Sequence, residues 1–250
     1  MKYTDQKSEN TAEFYDRLMV GDVKRGILGK DSRYNSVSLA QKKSVQKYFL
    51  EVVAEYINPD DRLLDFGCGP GTFSLLVSPL CKTVHSVDIS KEFINTCIEN
   101  IEKLNVKNVI PAVLVSDDVP FADNYFDVIM MVDVIHHLDD IEFRMKEIYR
   151  LLKPGGRLLI FEPNKLNPVL WLLHYFDPNE RGLMRVGTPG SYQKLLKEHF
   201  IIEKLNFNGI VIGPSAKIYD LISRILNSKY LPFLAWLNPK LFISAKKRST

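Results

Sequence analysis

The sequence predicts an α/β fold in which a seven-stranded, mostly parallel sheet carries helices on both faces. Apolar runs of strand length alternate with amphipathic stretches of helix length between residues 45 and 163, which is typical of a parallel sheet. A glycine-rich turn follows the first apolar run, and 46% of the 250 residues are hydrophobic, enough for one substantial core. We expect one domain over residues 1–250: an N-terminal helical arm (1–44), a core (45–163), a helical cap insertion (164–190), and closing strands with a C-terminal helix (191–250).

The first half of the core is predicted to contain two helices and two strands before the helix that follows Ser90. Apolar residues recur at helical spacing from Val45 to Tyr56, and the turn sequence NPDD ends that helix. RLLDF then predicts a buried strand, and TFSLLVSPL predicts a short helix that stops near Pro79. TVHSVD predicts the second strand, and Ser90 is placed to cap the helix after it.

Five further strands complete the predicted sheet. NVIPAVLV, YFDVIMMV and GRLLIF predict three, with a helix over 141–152 that KPGG stops. At the end of the cap insertion, Thr188 is predicted to be the N-cap of a helix and Pro189 its first residue. IIEKLNF and KLFISAKK predict two closing strands. The aliphatic stripe of the helix between them consists of Ile218, Leu221, Ile222, Ile225 and Leu226.

Charge and cysteine usage restrict the class of protein. The three cysteines, Cys68, Cys81 and Cys97, have no metal-ligand spacing, so we expect reduced thiols, no metal site and a cytoplasmic location. The N-terminus lacks the apolar region of a signal peptide, and no apolar run reaches the roughly 18 residues that a membrane span needs. Residues 51–163 carry 10 Lys and Arg against 19 Asp and Glu, whereas residues 164–250 carry 13 against 5. A cation-binding centre and an anion-facing end are therefore predicted, with solvated faces as the alternative.

The glycine loop in LLDFGCGPGTFS lies where parallel α/β sheets bind ligands, beyond the carboxyl end of a strand. A dinucleotide fingerprint counted from Gly67 would have its third glycine at position 72, but Thr72 stands there and Gly71 comes one residue early. Asp65, Asp88, Asp117 with Asp118, and Asp133 stand at four strand ends. A carboxylate about 4 Å from a phosphate costs about 4 kcal/mol at a dielectric of 20. The loop therefore favours a cation such as S-adenosylmethionine, whose ribose Asp88 is placed to hold.

Four segments resemble the class I S-adenosylmethionine-dependent methyltransferases, in the type 11 small-molecule group that includes quinone and natural-product sugar methyltransferases. They are LLDFGCGPG, VHSVDIS, YFDVIMMVDVIHHLDD and YRLLKPGGRLLIFEP, in the family's order and spacing. The resemblance spans about residues 45–163 and implies a Rossmann-like fold. It implies the following cofactor contacts: Asp65, Gly67, Cys68 and Gly69 at the methionine end, Asp88 and Ile89 at the ribose and adenine, Asp117 (favoured) or Asp118 at the adenine, and the backbone of Met131 and Val132 near the sulfonium.

Two histidines, His136 and His137, follow the fourth strand at the mouth of the predicted crevice. An unperturbed histidine pKa of about 6.5 suits a general base near neutrality. Similar sugar methyltransferases use a histidine at the first position with an acid that ends the fifth strand, here Glu162. The alternative is that the histidine rings only pack. Tyr15 and Tyr34 of the arm are weaker candidates to close over a sulfonium.

The acceptor is predicted from the additions to the core. NPVLWLLHYF and YLPFLAWLNP hold both tryptophans in the basic C-terminal part, which favours a hydrophobic or anionic small molecule such as a quinone, polyketide or sugar lipid. The same segments suit a peripheral membrane contact, or a lid packed on the sheet. We expect no nucleic-acid substrate, since VDVIHH replaces the proline-containing motif of base-modifying enzymes. The alternatives are a non-catalytic S-adenosylmethionine-binding module and an NAD(P)-dependent oxidoreductase; oligomeric state and methylated atom stay open.

Overall fold

The computed structural model describes residues 12–13, 16–17, 42–115, 119–176, 185–210, 217–228 and 230–248. Asp117, Asp118, Tyr15 and Tyr34 lie outside these residues. Within them, no helix is both long enough and apolar enough to span a membrane.

Seven strands of the described chain form one sheet in the order β3-β2-β1-β4-β5-β7-β6. Their bounds are β1 Arg62–Phe66, β2 Thr83–Asp88, β3 Val109–Val113, β4 Phe126–Val132, β5 Leu152–Pro163, β6 Phe200–Asn208 and β7 Lys240–Lys247. The first five strands are mutually parallel, and β7 runs antiparallel to both of its neighbours, β5 and β6. Strand order reverses between β1 and β4, and that is where sheets of this kind bind ligands.

Helices cover both faces of the sheet. α1 comprises three consecutive helical segments, Lys43–Val45, Gln46–Leu50 and Glu51–Val53, the middle one a π-turn. The others are α2 Thr72–Val77, α3 Lys91–Lys103, α4 Ile141–Leu151, α5 Pro168–Phe176, α6 Pro189–Leu196 and α7 Lys217–Leu226. Short 3₁₀ turns cover Ser78–Leu80, Ile135–His137 and Pro232–Leu237.

The core divides into two layers because successive strand residues point to opposite faces. One cluster joins Leu64 and Ile160 of the sheet to α4 and α6. The other joins Leu63 and Phe161 to α1 and α2, with the ring centroid of Phe49 5.0 Å from that of Phe161. The predicted α/β fold with its mostly parallel seven-stranded sheet is thereby confirmed.

Helix starts follow the predicted caps. The Ser90 hydroxyl accepts from the Phe93 amide, and Thr188 forms a capping box with Ser191 ahead of Pro189. One detail differs from the prediction: KPGG lies inside β5 rather than in a turn, since Leu152 already pairs with Phe126 before a register shift. Helix α4 therefore passes directly into β5.

Candidate active site

The glycine loop between β1 and α2 folds back on β2. The amides of Gly67 and Cys68 both donate to the Val87 carbonyl, at 2.8 and 3.0 Å. Gly67, Gly69 and Gly71 have φ of 76°, 53° and 81°, values that L side chains rarely adopt. The loop therefore needs glycine for its backbone path as well as for close approach of a ligand.

Asp65 lies buried at the end of β1 in a chain of hydroxyl groups. Its Oδ2 accepts from the Ser74 hydroxyl at 2.6 Å, and the Ser86 hydroxyl donates to Ser74 Oγ at 2.8 Å. Burial raises the pKa of the Asp65 carboxyl to about 7, against the lowering effect of the Ser74 hydrogen bond, and the nearby Asp88 carboxylate raises it further. A cation bound beside Asp65 would favour its ionised form.

We expect the stability of the cofactor-free chain to fall as pH rises, because folding raises the pKa of Asp65 from 3.8 to about 7. The stabilisation is complete below about pH 4 and is lost as pH rises through about 7. The loss should be on the order of 4 kcal/mol in unfolding free energy. Urea denaturation between about pH 4 and 8 measures it, with Asp65→Asn as control. An equal pH slope in wild type and variant would contradict the raised pKa.

Asp88 fixes the loop from the end of β2. Its Oδ2 accepts from the Gly69 amide and its Oδ1 from the Ser90 amide, both at 2.9 Å. Burial raises the pKa of the Asp88 carboxyl, and these backbone hydrogen bonds lower it. Ile89 follows with 44% of its surface exposed. The Ser90 hydroxyl donates to Asp16, so the N-terminal arm contacts the chain next to the predicted ribose site.

The three loop glycines differ in what a side chain would meet. A Cβ at Gly67 would lie 2.4 Å from a methyl group of Val134, and one at Gly71 would lie 2.4 Å from Cys97 Sγ. At Gly69 no described atom lies within 4 Å of that Cβ position. The loop thus has an open cradle at Gly69, bordered by the buried acids Asp65 and Asp88, and this fits a cationic cofactor with ribose hydroxyls.

Two alanine substitutions should distinguish the glycine that stabilises the loop from the glycine that leaves room for the cofactor. Gly71→Ala combines left-handed strain with the clash at Cys97, so we expect a loss of about 2 kcal/mol or more in unfolding free energy. Gly69→Ala should lose only about 1 to 2 kcal/mol from backbone strain, yet weaken S-adenosylhomocysteine binding at least about tenfold. Thermal unfolding and calorimetric titration measure the two effects. Undiminished affinity in Gly69→Ala would place the cofactor elsewhere.

Asp133 does not add free negative charge to the crevice, contrary to the prediction from the sequence. It adopts φ of 58° directly after β4, and Lys240 at the start of β7 pairs with its carboxylate. The two residues are 107 positions apart, so the sequence offers no local signal of this ion pair. Of the predicted aspartates, Asp65 and Asp88 therefore remain as the described acids that border the glycine loop.

His136 and Glu162 form a buried pair at the ends of β4 and β5. His136 Nδ1 lies 2.6 Å from Glu162 Oε2, and both side chains are almost fully buried. Glu162 Oε1 accepts from the amides of Val134 and Ile135, both at 2.7 Å. The carboxylate thus fixes the turn that carries His136 and orients its ring. Because Nδ1 donates to the carboxylate, the lone pair of a neutral imidazole lies on Nε2.

His137 is placed differently from its neighbour. Its side chain is half-buried, and its ring centroid lies 3.9 Å from that of His136. His174 of α5 lies buried with its ring centroid 6.0 Å from that of His136. The structure therefore brings both residues against the imidazole of His136.

Other residues near this pair carried no sequence signal. Tyr192 is fully buried, and its hydroxyl has no partner of normal hydrogen-bond length among the described residues. Burial, together with the carboxylates of Glu162 and Asp133, raises the pKa of Tyr192 well above its usual range. Arg185 donates to the Leu138 carbonyl at 2.7 Å and so holds the turn after the histidines.

Met131 and Val132 end β4 next to the switch in strand order. Both are buried, and their side chains enter opposite core clusters, so their backbone is the part that borders the crevice. Cys68 is buried in the loop, and burial raises the pKa of its thiol. No group of three or more His, Cys, Asp or Glu side chains in the described chain is arranged to hold a metal ion.

Comparison with known proteins places this geometry in a family. Residues 64–160 match the methyltransferase domain family of type 11. The chain is 35% identical to demethylmenaquinone methyltransferase of Symbiobacterium thermophilum over 126 residues, 48% of this chain and 50% of that protein. It is 30% identical to the ubiquinone/menaquinone biosynthesis C-methyltransferase of Haemophilus ducreyi over 181 residues, 63% of this chain and 70% of that protein. The chain spans about half the length, or less, of the first curated relatives it matches.

A solved structure agrees at the level of the fold. The S-adenosylmethionine-dependent methyltransferase from Aquifex aeolicus superposes with a TM-score of 0.60 at 19% identity, covering 86% of this chain and 97% of that one. The matched span, residues 64–160, contains the glycine loop, the two histidine positions and β5 up to Ile160. The chain belongs to the class I S-adenosylmethionine-dependent methyltransferases, in the type 11 group.

Proposed function

We propose that this methyltransferase acts on a small apolar or anionic acceptor and that His136 takes the acceptor's proton. The observation that carries the proposal is the buried His136–Glu162 pair, with 2.6 Å between Nδ1 and Oε2. The carboxylate also accepts from two backbone amides, which fixes its position and therefore the orientation of the His136 ring. A histidine oriented by a carboxylate is the usual arrangement of a base that activates a nucleophile.

The cofactor site consists of the glycine loop and the strand ends around it. Asp65, Gly67, Cys68 and Gly69 would hold the methionine end, Asp88 and Ile89 the ribose and one side of the adenine. Backbone of Met131 and Val132 borders the position next to the sulfonium, and Asp117 or Asp118, outside the described residues, would contact the adenine. When bound, S-adenosylmethionine supplies an activated methyl group and leaves as S-adenosylhomocysteine.

The chain's own contribution is to position the acceptor, exclude water and remove a proton. Alignment of two reactants in a closed site can supply on the order of 7 to 11 kcal/mol of the barrier. Glu162 holds the proton of His136 at Nδ1, which leaves Nε2 to accept a proton from the acceptor. His137 is the second candidate for this role, but among the described contacts the hydrogen bond to Glu162 is made by His136. A positioned base of this kind typically adds about 10² to 10⁴ in rate.

A quinone-like acceptor is the class we favour. The two curated relatives above are named for quinone methylation, and helix α5, whose His174 lies beside His136, carries the exposed apolar side chains Trp171 and Leu172. Three buried free thiols, Cys68, Cys81 and Cys97, support a reducing compartment, so we propose that the reaction takes place in the cytoplasm. A nucleic-acid acceptor is not proposed.

Turnover with candidate acceptors tests the proposal. Purified chain is incubated with S-adenosylmethionine and a demethylated quinone, a polyketide phenol or a sugar lipid, and S-adenosylhomocysteine is measured by mass spectrometry. We expect production that depends on the acceptor. Binding of S-adenosylhomocysteine without turnover on any of these classes would favour the non-catalytic module, and thermal stabilisation by NAD(P) instead would favour the oxidoreductase.

A further inference from the structure

An exposed apolar surface lies on the C-terminal side of the molecule. We call it the outer patch: the exposed apolar side chains in the described parts of segments 164–176 and 217–238. Of the nineteen exposed large hydrophobic residues in the described chain, twelve belong to it. Its aromatic members are Trp171, Tyr175, Phe176, Tyr230, Phe233 and Trp236. Surfaces of this kind mark sites of interaction when they are contiguous.

Hydrogen bonds on the inner side join the segments of the outer patch. Asn164 Nδ2 donates to the carbonyls of Trp236 and Asn238, at 2.8 and 2.9 Å. Asn238 Nδ2 donates in turn to the carbonyl of Leu226, the last residue of α7, at 3.2 Å. α5, α7 and the Pro232–Leu237 turn are therefore fastened together by their polar groups, and their apolar side chains are left on the outside.

Helix α7 shows that the exposure of apolar side chains is not confined to loops. Its aliphatic stripe includes Leu221, Ile222 and Ile225. Their exposed fractions are 47%, 41% and 44%. An amphipathic helix normally turns such a stripe to the core. Here these three members of the stripe face outward, as apolar side chains do in helices that lie on an apolar or lipid surface.

The charge around the outer patch selects the partner. In sequence, segments 164–176 and 217–238 contain four Lys or Arg against one Asp. Among the described side chains, Lys165 and the exposed Arg224 carry this positive charge. Exposed aromatic side chains in a segment of net positive charge suit the interface of an anionic bilayer, where aromatic rings lie at the level of the headgroups and Lys and Arg are attracted to the anionic lipids. A second copy of the chain would bring the same positive charge to the contact and be repelled.

We propose that the outer patch docks this chain on the surface of an anionic membrane. The patch shares its segments with the candidate active site: His174 of α5 lies against His136, and Asn164 follows Glu162 by two positions. Docking would bring the His136–Glu162 pair close to lipid. An acceptor dissolved in the bilayer would then reach the site without crossing water, a consequence that rests on the proposed function, whereas the docking itself does not.

Vesicle co-sedimentation of the full chain, without cofactor or acceptor, tests the docking. We expect binding to vesicles of phosphatidylcholine with phosphatidylglycerol, weaker binding to phosphatidylcholine alone, and weakening by salt. Phe176→Ser combined with Phe233→Ser should lower the partition coefficient at least about tenfold. Arg224→Gln should lower it about fivefold on anionic vesicles only. Leu104→Ser, an exposed apolar residue at the end of α3, is the matched control and should bind as wild type.

Three results would overturn the proposal. The first is absence of binding to anionic vesicles at low salt. The second is full binding by the double phenylalanine variant when thermal unfolding shows that it and the wild type are folded. The third is concentration-dependent dimerisation in sedimentation equilibrium that the same variant abolishes, since a second copy would then be the occupant. Because no turnover enters these measurements, their outcome is independent of whether a methyl acceptor has been found.

Discussion

His136→Ala is expected to lower turnover by about 10² to 10⁴, the usual contribution of a positioned general base. The affinity for S-adenosylhomocysteine should change little, because the glycine loop and Asp88 do not touch the imidazole in the described contacts. Steady-state kinetics with an accepted substrate and calorimetric titration of the product measure the two quantities.

His137→Ala is the matched control for this experiment. His137 is the adjacent ring, half-buried and without the Glu162 contact, so its removal should cost less than about tenfold in turnover. Equal losses of turnover in the two variants would assign the base to neither residue. Parallel loss of product binding and of thermal stability in His136→Ala would show that the ring is structural.

Glu162→Gln is the second substitution for which we expect a large effect. The amide oxygen can still accept from Val134 and Ile135, so the turn after β4 should keep its shape. The amide nitrogen then faces His136 Nδ1 and donates to it, which moves the imidazole proton to Nε2 and removes the lone pair needed there. The corresponding exchange in a Ser-His-Asp triad costs about 10⁴ in rate. We expect a loss of similar order, with KM and product affinity nearly unchanged.

Glu162→Ala separates this tautomer effect from loss of structure. Alanine leaves two buried amides without an acceptor, at about 1 to 3 kcal/mol each, so we expect clear destabilisation in urea unfolding. Glu162→Gln should lose far less stability than the alanine variant while losing about as much turnover. Wild-type rates in a folded Glu162→Gln enzyme would refute the role of Glu162 in orienting the base.

Most of the fold could be predicted from local patterns in the sequence. The period-two and period-3.6 patterns located the seven strands and the main helices, and Ser90 and Thr188 marked helix starts that the structure confirms. Such features are local, because backbone direction and burial repeat within a few residues. The position of Glu162 opposite His136 was available only through the family resemblance. Parallel strands β4 and β5 then place the two side chains at one edge of the sheet.

The remaining features depend on contacts between distant parts of the chain. Lys240 reaches Asp133 across 107 positions, and His174 reaches His136 from another helix. The raised pKa of Asp65 likewise results from burial, and the degree of burial could not be predicted from the sequence. The exposure of the α7 stripe could not be predicted from the sequence either. An amphipathic pattern shows which residues share a face of the helix, but not whether that face contacts the core, a partner or solvent.

The placement of β7 has a consequence for biogenesis. β7 lies between β5 and β6, although it is the last of the described strands in chain order. Until the ribosome has released Lys240–Lys247, β6 has no neighbour to bond with and β5 presents a bare edge. This side of the sheet therefore closes only after translation of that strand, which exposes the nascent chain to aggregation for longer than a protein assembled in order of synthesis.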